Sequence, residues 1–410
     1  MIDLPNPSFK VSSSIQLLQM HLIQDLVDHT IDFLHDDPKS LIRVSLVSKA
    51  WAGRTRPHLF RTMKITRANL SSSDPSYLAP LCRYVGILNF QWPKDTTNPS
   101  TALDCFEQSE RLHTLAIYPC ELHRLNEQTI LRRFAKFPCA STVTLQLRHV
   151  TSTPRTFLAF LLLFPNVDNL TIHASGSWTD VPGPPVVEGG GDQVHQPVSP
   201  PCLRGSFKFH HDIWGFREIQ PLPTLAALPL QFQTVSLNVV GLYWLDVLTF
   251  LDACSKTVRK VFVESPSRKF QPFIPMRARS YTDSTCKCVA EGPIDRPPIK
   301  FVNLEELRLR RWDSHNCTRC DAHPLIQSAA SPCLQRVVLE VEGIALWCPR
   351  LDGVLVDLVE SQKAHGGLVV QVSTIANPQH IRGWLPRLSQ IGALEVRRSE
   401  RPDYCVDIDH

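Results

Sequence analysis

Apolar residues near the start of the chain recur at the spacing of an amphipathic helix. Residues four apart lie on one face of an α-helix, and two such rows run side by side here. The rows are Leu22, Leu26, Thr30 and Leu34, and Ile23, Val27 and Ile31. Ser13, with Gln16 three residues later, fits a capping box, so a helix is predicted to begin there. The same helix is predicted to end at His35 or Asp36.

Two further helices are predicted before position 62. Asp37 can cap a helix and Pro38 suits its first position, so a second helix is expected from Pro38 to about Val47. A third short helix is expected from Arg54 to Phe60. Residues 13–62 would then form a three-helix unit after a flexible terminus of residues 1–12. A core this small is marginal alone, so contact with a partner would stabilise it.

A different pattern recurs from Leu81 onward. It consists of an apolar residue, two others, a second apolar residue, one other and a third apolar residue. The clear copies are Val85-Leu88-Phe90, Leu112-Leu115-Ile117, Val167-Leu170-Ile172, Phe232-Val235-Leu237, Val258-Val261-Val263, Leu304-Leu307-Leu309, Leu334-Val337-Leu339 and Ile391-Leu394-Val396. Weaker copies begin at Thr142, Arg204 and Gly367. Successive copies start 27, 30, 25, 37, 28, 26, 46, 30, 33 and 24 residues apart. Most steps are near the length of a leucine-rich repeat, about 20–29 residues.

Each copy predicts a β-strand, because its second and third apolar positions are two apart and share one face of a strand. Segments between copies, such as 126–137 and 351–360, have helical character. A strand and a helix in each repeat predict an α/β solenoid over residues 63–410, since no copy can bury its apolar face alone. The alternative is an ordinary α/β domain with many short strands.

Two segments interrupt the repeats. The first, near 174–201, is rich in proline and glycine and is predicted to be a flexible surface loop. The second, near 265–298, carries the basic residues Arg268, Lys269, Arg277 and Arg279. A solvated loop is the favoured interpretation there, and nuclear import or anion binding is the alternative. Either insertion could contact a target, since repeat proteins often place insertions on a binding face.

Two strings in the N-terminal unit are distinctive. The first is Leu22-Ile23-Gln24-Asp25-Leu26-Val27-Asp28, followed by Ile31-Asp32-Phe33-Leu34, and the second is Ser45-Leu46-Val47-Ser48-Lys49-Ala50-Trp51. This run resembles an F-box, especially those of the large F-box families of mushroom-forming fungi. Ile23 stands where the family usually has proline, and Asp25 stands where it usually has glutamate. The resemblance covers about one-tenth of the chain.

The resemblance implies that the box docks to a Skp-type adaptor and, through it, to a cullin scaffold. By position, the adaptor-binding residues would be Leu22, Ile23, Leu26, Ile31, Leu34, Leu46, Val47 and Trp51. The alternative is that these residues only pack the three helices together. An F-box followed by leucine-rich repeats is a familiar pairing, so the resemblance also favours the solenoid.

The function expected from this resemblance is substrate recognition in a Skp–cullin–F-box ubiquitin ligase. The F-box would bind the adaptor, and the repeats would bind a protein target that the sequence does not identify. The alternative is a non-catalytic leucine-rich-repeat interaction scaffold without ligase activity.

Composition and charge narrow the class of protein. Apolar residues make up 43% of the chain and charged residues 20%, which is typical of a globular protein. A net charge of +4 over 410 residues does not indicate a nucleic-acid binder. The longest dense apolar run, 157–164, is too short for a membrane span of roughly 20 residues. Residues 1–14 show no secretory pattern, so we expect reduced cysteines and a location in the cytoplasm or nucleus.

Candidate chemistry is sparse. Cys286 and Cys288, with Cys317 and Cys320, could supply four zinc ligands, but four unliganded loop thiols are the favoured interpretation. Cys120 near His123 could be imagined as a nucleophile and its base, yet no residue nearby in the sequence activates the thiol. No phosphate-binding loop, nucleophile elbow or metalloprotease motif occurs. We therefore expect no catalytic activity, no cofactor and no resident metal.

Overall fold

The computed structural model describes residues 24–66, 78–91, 103–124, 127–174, 201–211, 221–239, 244–264, 298–310, 325–341, 349–374 and 377–398. The structural statements below concern these residues. The predicted flexible terminus of residues 1–12 and most of the two predicted loop insertions lie outside them.

Three helices begin the described part of the chain. Helix α1 covers residues 24–33, α2 covers Pro38–Ser45 and α3 covers Lys49–Leu59. Asp37 caps α2 as predicted, because its side chain accepts hydrogen bonds from the backbone N–H groups of Lys39 (3.1 Å) and Ser40 (3.2 Å). The sequence pattern therefore located the end of the first helix and the start of the second correctly.

The start predicted for the third helix was wrong. The helix begins at Lys49, ahead of the predicted Arg54, and it includes Trp51. Ser48 caps it, since the Ser48 hydroxyl accepts a hydrogen bond from the N–H of Trp51 at 3.2 Å. Gly53 weakens the local helix propensity, and this cap together with packing against α2 offsets the loss.

Twelve strands form one parallel sheet in which every strand lies beside its neighbours in the sequence. The strands are β1 (Thr62–Ile65), β2 (Ile87–Gln91), β3 (Thr114–Tyr118), β4 (Thr144–Val150), β5 (Asn166–Ala174), β6 (Cys202–His211), β7 (Leu230–Val239), β8 (Lys260–Glu264), β9 (Glu306–Arg310), β10 (Arg336–Val341), β11 (Val369–Thr374) and β12 (Leu394–Arg398). The order never reverses, so the sheet has no topological switch point, and β1 and β12 are its two edges.

The strand register agrees with the predicted repeats residue for residue. Leu88 pairs with Leu115, and the same apolar position continues across the sheet to Val370 and Leu394. The intervening partners in this row are Leu145, Leu170, Phe207, Val235, Val261, Leu307 and Val337. Spacing in the sequence therefore determined which residues lie side by side.

The first strand was not predicted. Met63 and Ile65 pair with Leu88 and Phe90, so β1 extends the same two apolar rows. With Phe60 they complete another copy of the pattern, which the predicted boundary between residues 62 and 63 concealed. The sheet consequently begins directly after α3.

Short helices connect the strands. They are α4 (Ala79–Cys82), α5 (Glu127–Arg133), α6 (Pro154–Leu161), α7 (Pro221–Ala226), α8 (Trp244–Ala253), α9 (residues 325–328), α10 (Pro349–Gln362), α11 (Pro378–Trp384) and α12 (Pro386–Gln390). Helices α5 and α10 confirm the helical segments predicted at 126–137 and 351–360. The inward strand residues and the apolar residues of these helices form one continuous core, while the alternate strand residues remain partly or fully exposed. The fold is thus α/β with one covered sheet face.

Candidate functional site

Exposed apolar side chains are concentrated in the three N-terminal helices. Nine large apolar side chains are exposed in the described chain, and five of them lie between residues 26 and 47. These five are Leu26, Phe33, Ile42, Leu46 and Val47, and we call them the apolar helical surface. Clustered exposed apolar residues are characteristic of an interaction site.

Helix α1 presents two members of this surface. Leu26 and Phe33 are seven residues apart, so they lie on nearly the same face of the helix two turns from each other. Phe33 is 83% exposed and Leu26 is 71% exposed. Ile31 lies on a different face and is fully buried. The helix therefore uses one apolar face for its own core and a second one that the rest of the chain leaves open.

Helix α2 and the turn after it present the other three members. Ile42 and Leu46 are four residues apart and share a face, and Val47 follows in the turn. Leu41, one position before Ile42, is buried instead. Full burial of a side chain of this size against a partner would contribute about 1.5–3 kcal/mol. Five such side chains are therefore enough to drive association.

A polar cluster fixes α1 against α3. The carboxylate of Asp32 accepts a hydrogen bond from Arg54 at 2.7 Å and contacts Nε2 of His58 at 2.9 Å. The hydrogen bond from Arg54 is the main reason that the pKa of Asp32 is lowered below its usual range. Because Asp32 is next to Phe33, this cluster also sets the orientation of the apolar helical surface.

The structure divides the predicted adaptor-binding residues into three groups. Leu26, Leu46 and Val47 are exposed, while Leu34 and Trp51 are half-buried. Leu22 and Ile23 lie outside the described residues.

Ile31 does not fit its predicted role as a contact residue. Its side chain has no exposed area and belongs to the core of the helical unit, where it can hold the helices together. Helical spacing could not separate Ile31 from Leu26, because both rows of the pattern are apolar and only packing decides which row faces inward.

Two exposed residues of this surface were not among the predicted contacts. Phe33 and Ile42 interrupt the spacing-four rows, and each is adjacent to a residue that faces elsewhere. A usable signal was present for Phe33, since it follows Leu26 by two full helical turns.

The cysteines of the described chain do not form a reactive site. Four of the seven are buried, and burial raises the pKa of the Cys82, Cys139 and Cys254 thiols to about 12. Cys120 is completely buried and the pKa of its thiol is raised still further. Its thiolate, the nucleophilic form, is thus strongly disfavoured. The ring of nearby His123 contacts the Thr151 hydroxyl at 2.7 Å.

The described residues contain no group of three or more side chains positioned to hold a metal ion. The four cysteines considered as zinc ligands, Cys286, Cys288, Cys317 and Cys320, lie outside the described residues. Within the described part of the chain, no helix is both long and apolar enough to span a bilayer.

Comparison with known proteins gave no relatives. No protein-family model matches the chain, and no curated protein has a matching sequence.

Proposed function

We propose that the chain is a substrate-receptor subunit of a Skp–cullin–F-box ubiquitin ligase. The observation that carries this proposal is the apolar helical surface, in which five large side chains are exposed within 22 positions of the sequence. A small helical unit gains stability by burying such a surface against a partner. The resemblance of residues 22–51 to an F-box identifies a Skp-type adaptor as that partner.

The three helices also support the F-box assignment. Leu46 and Val47 from the second distinctive string lie at the end of α2 and in the following turn, where both are exposed. Leu26 from the first string is exposed on α1. Residues that the resemblance assigns to the adaptor interface are therefore available for contact, apart from Ile31.

We further propose that residues 62–398 form a leucine-rich-repeat-like solenoid. A parallel sheet whose strands follow the order of the sequence without reversal is what stacked strand–helix repeats produce. The constant register of the apolar positions across eleven neighbouring strands, β2 to β12, supports the same conclusion. The uncovered sheet face is the proposed surface for a target protein.

In this proposal the chain positions other molecules and performs no bond chemistry itself. The helical unit would attach to the adaptor, and the sheet would hold the target. Bringing the target lysine and the charged ubiquitin carrier into one complex raises their effective concentration. Action in the cytoplasm or nucleus follows from this role.

Capture of a purified Skp-type adaptor tests the proposal. The Leu26→Asp, Leu46→Asp double variant places two charges on the apolar helical surface, where burial of an unpaired charge is strongly unfavourable. We expect the unmodified chain to bind with submicromolar affinity and the variant to lose binding by about 100-fold or more. Unchanged circular dichroism would show that the helices remain folded.

A matched control is available elsewhere on the chain. Val302 and Ile391 are also exposed apolar residues, and they lie outside the helical unit. The Val302→Asp, Ile391→Asp variant should bind the adaptor as the unmodified chain does. Absence of adaptor binding by the unmodified chain would overturn the ligase proposal, and a repeat scaffold without ligase activity would replace it.

A further inference from the structure

Charged residues are unevenly distributed between the two halves of the sheet. Strands β1 to β7 contain one carboxylate, Asp168, and it forms an ion pair with Arg204. Strands β8 to β12 contain four glutamates. Three of them, on β8 to β10, form ion pairs with Arg308 and Arg310. The cations of that region are therefore neutralised within the sheet.

A group of basic side chains occupies the outward face of β4 to β6. We call Arg148, His149, His173, Lys208 and His210 the basic strand surface. Among the described residues, no carboxylate lies within ion-pair distance of Arg148 or Lys208. This surface therefore keeps its positive charge.

The sheet register brings these side chains together. Arg148 pairs with His173, and His173 pairs with His210, so the three residues form a row across adjacent strands. The rings of His173 and His210 are stacked, with centroids 4.4 Å apart. Lys208 precedes His210 by two residues and shares its strand face. Since adjacent strands are about 4.8 Å apart, the row is about 10 Å long, which one ligand group and its flanking backbone can span.

A bulge adds His149 to the surface. The register of β4 against β5 shifts between Arg148 and Val150, which leaves His149 as the extra residue. Its φ of 51° is in the left-handed region, which a residue with a side chain seldom adopts. The ring lies edge-on to Tyr118, with centroids 4.9 Å apart. Bulges commonly redirect a side chain beside a functional site, and this one places an imidazole and a phenol next to Arg148.

We propose that the basic strand surface binds a phosphorylated serine or threonine in a segment of the target protein. This inference rests on the proposed function, because it assigns a chemistry to the target-binding face. A phosphate presents three acceptor oxygens and up to two negative charges. The surface offers one guanidinium, one ammonium and several ring N–H groups from three strands, more donors than one carboxylate could accept. Arginine also matches the geometry of phosphate with two parallel hydrogen bonds.

The stacked imidazoles make the site sensitive to protonation. Burial, followed by the charges of His210, Arg148 and His149, lowers the pKa of His173 to about 4, so its ring is neutral at pH 7. These residues and Lys208 are the titratable groups that face it from β4 and β6. A bound dianion would favour the protonated ring, so binding takes up protons and the affinity rises as pH falls.

Fluorescence anisotropy with the full-length chain tests the site. The probe is a labelled peptide pool with one fixed phosphoserine between degenerate flanks, compared with pools that carry serine or glutamate at that position. We expect the phosphoserine pool to bind about ten-fold or more tightly than either of the others. The Arg148→Gln, Lys208→Gln variant should lose that preference.

Lys260 and Arg336 provide the matched control. Both are exposed on the outward face, on β8 and β10, so the Lys260→Gln, Arg336→Gln variant removes the same charge outside the basic strand surface. It should bind the phosphoserine pool normally. Equal losses in the two variants would reduce the interaction to general charge attraction and overturn the proposal. Equal binding of the glutamate pool would overturn it in favour of acidic peptides.

The His173→Gln, His210→Gln variant tests the imidazole pair. Between about pH 8 and pH 6.5, the affinity of the unmodified chain for the phosphoserine pool should rise relative to that of the variant. Protonation of the phosphate itself affects both proteins equally, so the difference isolates the rings. Parallel pH dependences would contradict their participation.

Failure of this inference is distinguishable from failure of the proposed function. Adaptor capture reports on the N-terminal helices, whereas peptide binding requires only the sheet. A chain that captures the adaptor but does not prefer phosphoserine refutes the phosphate site alone. A chain that prefers phosphoserine but captures no adaptor retains the site and loses the ligase role.

Discussion

Asp32 links two helices through one partly exposed carboxylate. It contacts Arg54 and His58, both on α3, while it belongs to α1. Because the carboxylate is partly exposed, solvent screening limits the contribution of these pairs to stability. Their importance is therefore mainly geometric, since they orient the helix that carries Leu26 and Phe33.

The pKa of Asp32 leads to a prediction about pH. The pKa is lowered in the folded chain, so the stabilisation is present above the unfolded pKa of about 3.9 and is lost as pH falls through the folded value. Asp32→Asn should lower the local opening free energy of α1 at neutral pH by at most about 1 kcal/mol. The difference should vanish below about pH 3. Hydrogen exchange of peptides covering residues 24–60 measures it.

Asp25→Asn is the control for this experiment. It removes a carboxylate from the same helix at an exposed position with no ion pair to another described residue. It should leave the exchange of α1 unchanged at both pH values. An equal effect of the two substitutions would show that net charge, and not the contact with α3, stabilises the helix.

At the scale of the element, the bulges of the central strands determine local geometry. The registers of β5 with β6 and of β6 with β7 both shift close to Gly205. Gly205 has a φ of 73°, and a Cβ atom there would overlap the carbonyl oxygen of Asp168. Only glycine fits this position, because the two backbones approach too closely for a side chain.

Gly205→Ala should therefore be strongly destabilising. It adds a steric overlap with backbone to the cost of a positive φ, and we expect a loss of roughly 3 kcal/mol or more in unfolding free energy. Gly366→Ala separates the two effects, since Gly366 has a φ of 101° with no atom near the added Cβ. That variant should lose only about 1 kcal/mol. Urea denaturation followed by circular dichroism compares them, and equal losses would contradict the role of the close approach.

On the scale of the whole molecule, each strand is stabilised by its neighbours on either side. Inner strands have two neighbours, whereas β1 and β12 have one each. The burial of the repeated apolar position reflects this arrangement: Leu170 on β5 has no exposed area, while Leu394 on β12 is half-buried. Charged residues Glu395, Arg397 and Arg398 flank the open edge, which disfavours pairing with another chain.

Equivalent substitutions at these two leucines should differ in cost. Leu170→Ala removes a fully packed side chain and should lower the unfolding free energy by about 2–5 kcal/mol. Leu394→Ala should lower it by roughly 1–2 kcal/mol, because the edge strand already exposes part of the side chain. The midpoint and slope of urea denaturation measure both. A larger loss at Leu394 would contradict the view that inner repeats are the more tightly packed.

The sequence by itself determined the strands, their order along the chain and their register. The apolar spacing from Val85 to Val396 is local information, and stacked repeats convert that spacing directly into pairing. The same holds for the cap at Asp37. The apolar rows of α1 identified the N-terminal helical unit, but they did not show that Ile31 faces inward while Leu26 faces outward.

Only the tertiary structure decided which outward side chains meet. His173 and His210 are 37 positions apart in the sequence, and they stack because β5 and β6 are neighbours in the sheet. The ion pairs of Arg308 and Arg310 likewise join β8, β9 and β10, across steps that include the longest in the chain. Outward positions follow no repeated pattern, because they do not pack in the core. Their chemistry is therefore set residue by residue and becomes legible only once the strands are side by side.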